Sequence, residues 1–290
     1  MDGQCLYEPL ADEVVCVHKR AKGYQTYSYH RHNGYEVYLF LEGNILFYQG
    51  SNCYRLTPGD LLILPPSCMH RIISIDESIY DRIVLNIRHS AIERLSTGMT
   101  NLFACFETTD TDNIMPINLN KEEIKRFTQL SEGLISSMKD HTFGSDVLAN
   151  SYVSQLLLLV NQCHKVSPEP KFNIMPALVK DVMLYIEDNL AGDLRLSKIS
   201  EEFYHNGTYI SRMFKKHTGL TLKEYIIDQR IEVSRRILKN GGSVQEACYK
   251  SGFSDYSNFI RSFTAAMGVS PGKYKQENNK KLKRGNGQNI

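Results

Sequence analysis

The sequence predicts an α+β chain of two domains. A small N-terminal β-barrel with two following helices is expected first, then an all-α domain with two helix-turn-helix units. Three observations carry this. A short pattern occurs twice near the C-terminus, 49 residues apart. Residues 1–90 are cut into short apolar runs by turn residues. Charge is divided: residues 176–290 hold 19 Lys and Arg against 12 Asp and Glu, net +7, while residues 1–175 hold 15 against 20, net −5. The whole-chain charge of +2 conceals that split. A basic half beside an acidic half points to nucleic-acid binding at one end.

The barrel strands come first in order. Tyr35–Leu41 is apolar and β-rich and ends at the turn Glu42-Gly43-Asn44. Ile45–Tyr48 follows, then a turn at residues 49–52, Cys53–Leu56, the turn Pro58-Gly59-Asp60, Leu61–Leu64 and, later, Ile83–Ile87. Closely spaced strands with turn signals suggest a small barrel or sandwich. His30, His32 and Glu36 fall on one face of an extended chain, because side chains alternate with period two. With His70 they form a set of three imidazoles and a carboxylate, a donor set suited to a divalent metal or to hydrogen-bonding a polar ligand. The expected ligand-binding residues are His30, His32, Glu36, Tyr38 and His70. No metal or other cofactor is expected, and His30, His32, Glu36 and His70 are the alternative metal site. For Tyr38 the alternative is packing inside the barrel.

Two helices should follow. Lys121–Lys139 carries Ile124, Phe127, Leu130, Leu134 and Ile135, and Ser145–Cys163 carries Val147, Leu148, Tyr152, Leu156, Leu159, Val160 and Cys163 at helical spacing. The run Leu156–Val160 is apolar nearly all round, so the barrel covers part of it and a second subunit is a candidate to cover the rest. A purely intramolecular core helix is the other reading. The Pro-containing stretch 166–176 reads as a linker between domain 1–165 and domain 177–276, with a basic, disordered tail over 277–290.

The repeat lies in the second domain. Its first copy is Tyr209-Ile210-Ser211-Arg212-Met213-Phe214, then Gly219 and Tyr225; its second is Asn258-Phe259-Ile260-Arg261-Ser262-Phe263, then Gly268 and Tyr274. Such a repeat is one structural unit used twice. Before the first copy, Ser197 is a candidate N-cap for a helix with Leu196, Ile199 and Phe203 on one face, and Asn206-Gly207 a turn. In the next helix Ile210 and Phe214 point inward, and Arg212, Lys215 and Lys216 outward. Before the second copy, Ser243-Val244-Gln245-Glu246 has the capping-box form, with Ser251-Gly252 as the turn and Ser254 or Asp255 as the next cap. Thr221-Leu222-Lys223-Glu224, another capping box, opens a helix to Lys239 that spaces the two units. Two helices joined by a short turn, the second carrying exposed cations, fit a major groove. A rigid spacer would set the readers in successive grooves, about 34 Å apart. The same hairpins, read without DNA, are a protein-interaction module.

These residues bear a family resemblance. Segment 176–275 resembles the AraC/XylS-type transcription regulators, through residues 211–219, Tyr225, Arg230-Ile231, Gly252-Phe253-Ser254-Asp255, Phe259, Arg261, Phe263, and Ser270-Pro271 to Tyr274. The resemblance implies seven helices and regulation of transcription, more often activation. The implied partners are double-stranded promoter DNA, RNA polymerase and a second copy of the chain joined through helices. Carried over by position, Thr208, Tyr209, Ser211 and Arg212 face DNA from the first reading helix, with Lys215 and Lys216 beside them. Tyr256, Ser257, Asn258 and Arg261 do so from the second. The chain has Thr264-Ala265-Ala266 where the family often has lysines, which puts backbone contact by the second unit in doubt. The N-terminal half resembles the cupin motif: Gly23, His30-x-His32, Glu36 and Gly43, then Gly59, Pro65 and His70. Ser67 and Ser74 depart from it. Fused to this DNA-binding module, a cupin-like barrel implies an effector sensor, and His, Glu and Tyr side chains suit a hydroxylated ligand such as a sugar.

Composition excludes some classes. No run of 18 apolar residues occurs, so no membrane span is expected. Met1 to Leu10 lacks the features of a signal peptide. Seven scattered cysteines without a C-x-x-C pair read as reduced thiols, and a cytoplasmic location is expected. The functional expectation is a ligand-responsive, DNA-binding regulator that is not an enzyme. A metal-dependent cupin enzyme with a helical regulatory appendage is the alternative.

Overall fold

The computed structural model describes residues 6–8, 10–22, 30–66, 68–109, 114–164 and 172–276. Residues 165–171, which hold the first part of the expected linker 166–176, and the tail from residue 277 lie outside them. The chain divides into two compact units: one spans Glu8–Ile174, and the other runs from Met175 onward and takes in Leu6 and Tyr7.

Strand β1 (Leu6–Glu8) straddles the division, and the N-terminal unit contains the strands β2 (Val14–Lys22), β3 (His30–His32), β4 (Tyr35–Glu42), β5 (Ile45–Gln49), β6 (Asn52–Arg55), β7 (Asp60–Leu64), β8 (His70–Ser74), β9 (Ile79–Ile87) and β10 (Ile117–Asn118). They form two five-stranded sheets, ordered β1-β3-β8-β5-β6 and β10-β7-β4-β9-β2. The helices α1 (His89–Leu95), α2 (Ala104–Glu107), α3 (Lys121–Lys139) and α4 (Ser145–His164) belong to the same unit. Strand β4 is central and apolar on both faces, so it divides two cores. Tyr38 and Phe40 join Phe47, Tyr54, Leu62, Ile72 and Tyr80 between the sheets. Val37 and Leu39 join Phe127, Leu134, Leu156 and Val160 beneath α3 and α4. The period of two places residues 36, 38 and 40 on the barrel side together.

Helix α3 has the bounds read from its periodicity, because Asn120 and Glu123 close a capping box at its start. In α4, Leu156, Leu157, Leu159 and Val160 are buried within the protomer, so only Leu158 of that run is exposed. The remaining exposed apolar residues of α4 are Val147 and Leu148. At the end of the unit Ile174 donates its N–H to the Cys53 carbonyl at 2.8 Å. The Asn173 amide oxygen accepts from the Cys53 N–H at 3.0 Å.

The C-terminal unit is helical: α5 (Ala177–Asp188), α6 (Leu196–Phe203), α7 (Gly207–Thr218), α8 (Leu222–Lys239), α9 (Val244–Lys250) and α10 (Tyr256–Met267), with residues 271–276 helical as well. The capping boxes at Thr221/Glu224 and Ser243/Glu246 start α8 and α9, and Asp255 caps α10. Two expectations need correction. Ser197 does not cap α6; Arg195 holds the N-cap position without a side-chain bond, and Ser197 lies inside the helix. Asn206-Gly207 is not the turn, because Asn206 accepts from Thr208 and Tyr209 and is the N-cap of α7. The turn falls at Tyr204, the one non-glycine residue with positive φ among the described residues.

Candidate nucleic-acid interface and effector site

The repeated residues hold equivalent places in the two helix-turn-helix units. Ile210 and Phe259 are buried on the inner faces of α7 and α10, as are Phe214 and Phe263. The ring of Phe214 meets Tyr225 edge to face at 5.3 Å, and Phe263 meets Tyr274 edge to face at 5.6 Å. Gly219 and Gly268 both end their helices in the left-handed region, at φ 77° and 69°, where a residue with Cβ is disfavoured. Arg212 and Arg261, at the same offset, are both exposed. Apolar, glycine and tyrosine positions of the pattern thus build each unit, and the arginines are left at the surface. The repeat is shifted by one residue at its start: the N-caps of α6 and α9, Arg195 and Ser243, are 48 apart, whereas those of α7 and α10, Asn206 and Asp255, are 49 apart.

A concavity of about 1180 Å³ opens between the two helix-turn-helix units. Of the ten expected DNA-facing residues, Thr208, Ser211, Arg212, Lys215, Lys216 and Asn258 line it. Tyr209, Tyr256, Ser257 and Arg261 are exposed on α7 and α10 but lie outside it. Three further cations line the wall: Arg195, Lys223 and Arg230. No sequence pattern marks these three, because their place depends on how α6 and α8 pack. Arg195 is held by Asp193 at 2.6 Å, and Arg230 bonds to backbone. Arg212, Lys215, Lys216 and Lys223 carry no ion pair among the described residues.

In the barrel, β3 pairs with β8 so that His30 stands opposite His70. The register brings a nitrogen from each of His30, His32 and His70 within 4.8 Å of one another. Glu36, on the inward face of β4, lies 2.9 Å from Nε2 of His32 and 3.8 Å from Nε2 of His70. Nδ1 of His70 lies 3.1 Å from the Cys68 carbonyl. A carbonyl only accepts, so Nδ1 carries the proton and Nε2 presents a lone pair. That buried Nε2 has no hydrogen-bond partner among the described residues. Burial pulls the pKa of His70 down to about 3 and keeps it neutral. Burial acts to raise the Glu36 carboxyl, but the imidazoles around it, with the hydrogen bond from His32 among them, outweigh that and hold it below the usual carboxylate range. With His70 neutral, His32 is the close partner that keeps Glu36 ionised. A lone pair and a carboxylate therefore face each other in a buried space. Both are acceptors, so the site favours a hydrogen-bond donor or a cation.

The donor set fits a divalent transition metal: three imidazoles and a carboxylate, with one imidazole oriented by a backbone carbonyl. His30, His32, His70 and Glu36 would hold it. Tyr38 stands deeper, 2% exposed, with its hydroxyl 2.6 Å from that of Tyr80. Arg82 covers the Tyr80 ring at 4.1 Å. The sequence reading missed Tyr80 and Arg82, because only the pairing of β4 with β9 brings them to the barrel interior.

Two family models match this architecture: an AraC-like ligand binding domain over residues 13–157 and a helix-turn-helix domain over residues 199–277. The chain belongs to the AraC family of transcription regulators. The regulator has a ligand-binding and a DNA-binding domain. It is similar to the uncharacterized HTH-type transcriptional regulator YfiF of Bacillus subtilis (strain 168), 23% identical over 266 residues, or 85% of this chain and 78% of the relative. It is also similar to the multiple antibiotic resistance protein MarA of Escherichia coli (strain K12), 30% identical over 101 residues, or 34% of this chain and 80% of the relative. Among solved structures, ToxT from Vibrio cholerae is 18% identical over 91% of this chain and 98% of that one, with a TM-score of 0.38. That likeness is too distant to bear on the site. No helix among the described residues is long and apolar enough to cross a membrane.

Proposed function

We propose that the regulator is a cytoplasmic, homodimeric activator whose α7 and α10 read promoter DNA under control of a small polar effector in the barrel. The observation that carries the DNA-reading role is the concavity lined by Thr208, Ser211, Arg212, Lys215, Lys216 and Asn258. Tyr209, Tyr256, Ser257 and Arg261 extend that surface on the exposed sides of the two helices. His30, His32, Glu36, Tyr38 and His70 bind the effector. The facing acceptors of His70 and Glu36 favour a ligand rich in hydroxyl donors, such as a sugar. The exposed Val147, Leu148 and Leu158 on α4 suit a second copy of the chain. Effector control requires the ligand to bind one arrangement of the protein better than another. RNA polymerase is the partner that activation requires.

The test is selection of DNA from sheared genomic fragments, then footprinting, for wild type and the Arg212→Ala/Arg261→Ala variant. Protection of two successive major grooves per protomer, lost in the variant, supports the reading. No enrichment at low salt, with or without candidate sugars, refutes it.

A second reading is favoured by the spacing of His30, His32 and His70: the barrel holds a divalent transition metal. The metal would supply a Lewis acid or a redox centre, as in a metal-dependent enzyme with a helical appendage. Stoichiometric zinc, iron or manganese in purified protein, lost on His30→Ala, selects it. A metal-free protein that still binds its effector rejects it.

A further inference from the structure

The connecting helix α8 does more than hold the two units apart. Arg230, midway along it and half-buried, donates its Nε–H to the Leu190 carbonyl at 3.0 Å. Leu190 lies two residues beyond the end of α5, in the turn that follows the helix. The same guanidinium lies 6.0 Å from the ring of Phe253, in the turn between α9 and α10. Gly252 completes the junction. Its φ is +94°, and a Cβ built there would overlap the Leu190 carbonyl oxygen and stand 2.9 Å from Nε of Arg230. Three segments distant in sequence meet here: the loop after α5, the middle of α8 and the turn of the second unit. A parallel tie joins α5 to α8, where the Tyr225 hydroxyl donates to Glu187 at 2.5 Å. The two helix-turn-helix units are therefore keyed to each other as well as strung on one helix.

We propose that Arg230, seated against Leu190 and Gly252, is a positioning residue that locks the separation and rotation of α7 and α10. With the lock in place, the regulator discriminates the spacing between its two groove segments as well as their sequence. This rests on the DNA-binding reading above. Each inserted base pair moves one segment about 3.4 Å along the DNA axis and turns it about 34°. A rigid pair of readers cannot follow both displacements at once, so one reader leaves its groove. A pair hinged at α8 follows at little cost. Arg230 also lines the concavity, so a direct bond to a phosphate is the competing role, and it makes a different prediction.

The test uses the full chain and its selected site, with and without 2 base pairs inserted between the protected segments. Wild-type affinity is expected to fall about 30-fold on insertion, the order of losing one set of base contacts. In Arg230→Ala the penalty is expected to shrink to about threefold. Arg230→Gln keeps an N–H donor and should retain part of the penalty. If Arg230→Ala does not fold, judged by its melting curve, Arg230→Gln decides. A second readout needs no DNA: spin labels on Glu202→Cys in α6 and Thr264→Cys in α10, with the parent chain labelled in parallel. One narrow distance is expected in wild type and a broadened distribution in the Arg230 variants. An unchanged distribution in a folded variant, or a wild type that tolerates the insertion, overturns the lock. An equal loss on both sites, with a shallower salt dependence, overturns it in favour of phosphate contact. If wild type binds no DNA at all, the proposed function fails, and the label distances still decide whether the junction is rigid.

Discussion

Replacing Lys215 and Lys216 together by alanine should roughly halve the salt dependence of DNA binding. Six cations line the concavity. Arg195 is paired with Asp193 and Arg230 is bonded to the Leu190 carbonyl, which leaves Arg212, Lys215, Lys216 and Lys223 to meet phosphates. If all four displace counterions, log K falls against log salt with a slope of about −3.6 per protomer. Between ~50 and ~200 mM salt that is a loss of about 150-fold. Without the two lysines the slope becomes about −1.8 and the loss about twelvefold. Both lysines are exposed in the last turn of α7, so their removal costs that helix about 0.5 kcal/mol each through its dipole. Fluorescence anisotropy on the selected site at four salt concentrations gives the slopes, and urea unfolding checks that the variant is folded. An unchanged slope in a folded variant would refute the assignment of the α7 lysines to the DNA face.

Other outcomes follow from the packing. Phe214→Ala and Phe263→Ala should each destabilise the C-terminal unit by about 3–5 kcal/mol, and by similar amounts, because both rings are buried against a tyrosine edge; a loss below ~1 kcal/mol by urea unfolding contradicts the repeat's structural role. Gly268→Ala should cost about 1–2 kcal/mol by the same measurement, all of it from backbone conformation, since no atom lies within 4 Å of the added methyl position. Tyr38→Phe should cost about 1–3 kcal/mol by leaving the buried Tyr80 hydroxyl without this bond. The Tyr38→Phe/Tyr80→Phe double variant should cost less than the sum of its singles, and strict additivity would mean that the two hydroxyls are not coupled.

Much of the helical domain was legible in sequence because its signals are local. A capping box needs only two residues three apart, so Thr221/Glu224 and Ser243/Glu246 could be read directly. The 49-residue offset likewise identified Phe214, Phe263 and both tyrosines as equivalent. Local signals also misled at the first turn. Asn206-Gly207 has turn composition, but the Asn206 side chain is used as a cap, and the chain reverses at Tyr204. In the barrel, apolar strands such as Tyr35–Leu41 were legible. The strand Val14–Lys22 was not, because its half-exposed, lysine-bearing pattern acquires meaning only beside β9. The histidine strand β3 is three polar residues, with nothing in its composition to mark it as a strand, and β8 offers only the pair Ile72-Ile73.

The sequence by itself determined the two-domain order, the duplicated reading unit and the side-chain types available to each site. Those follow from periodicity, capping and charge, which act over a few residues or repeat along the chain. Only the tertiary structure decided which groups face one another. The register of β3 on β8 turned three separated histidines into one cluster with an unbonded lone pair facing a carboxylate. The packing of α8 against the loop after α5 brought Arg230 to a carbonyl 40 residues away. Such encounters depend on strand register and helix crossing, which are set by the whole core rather than by any local stretch of residues.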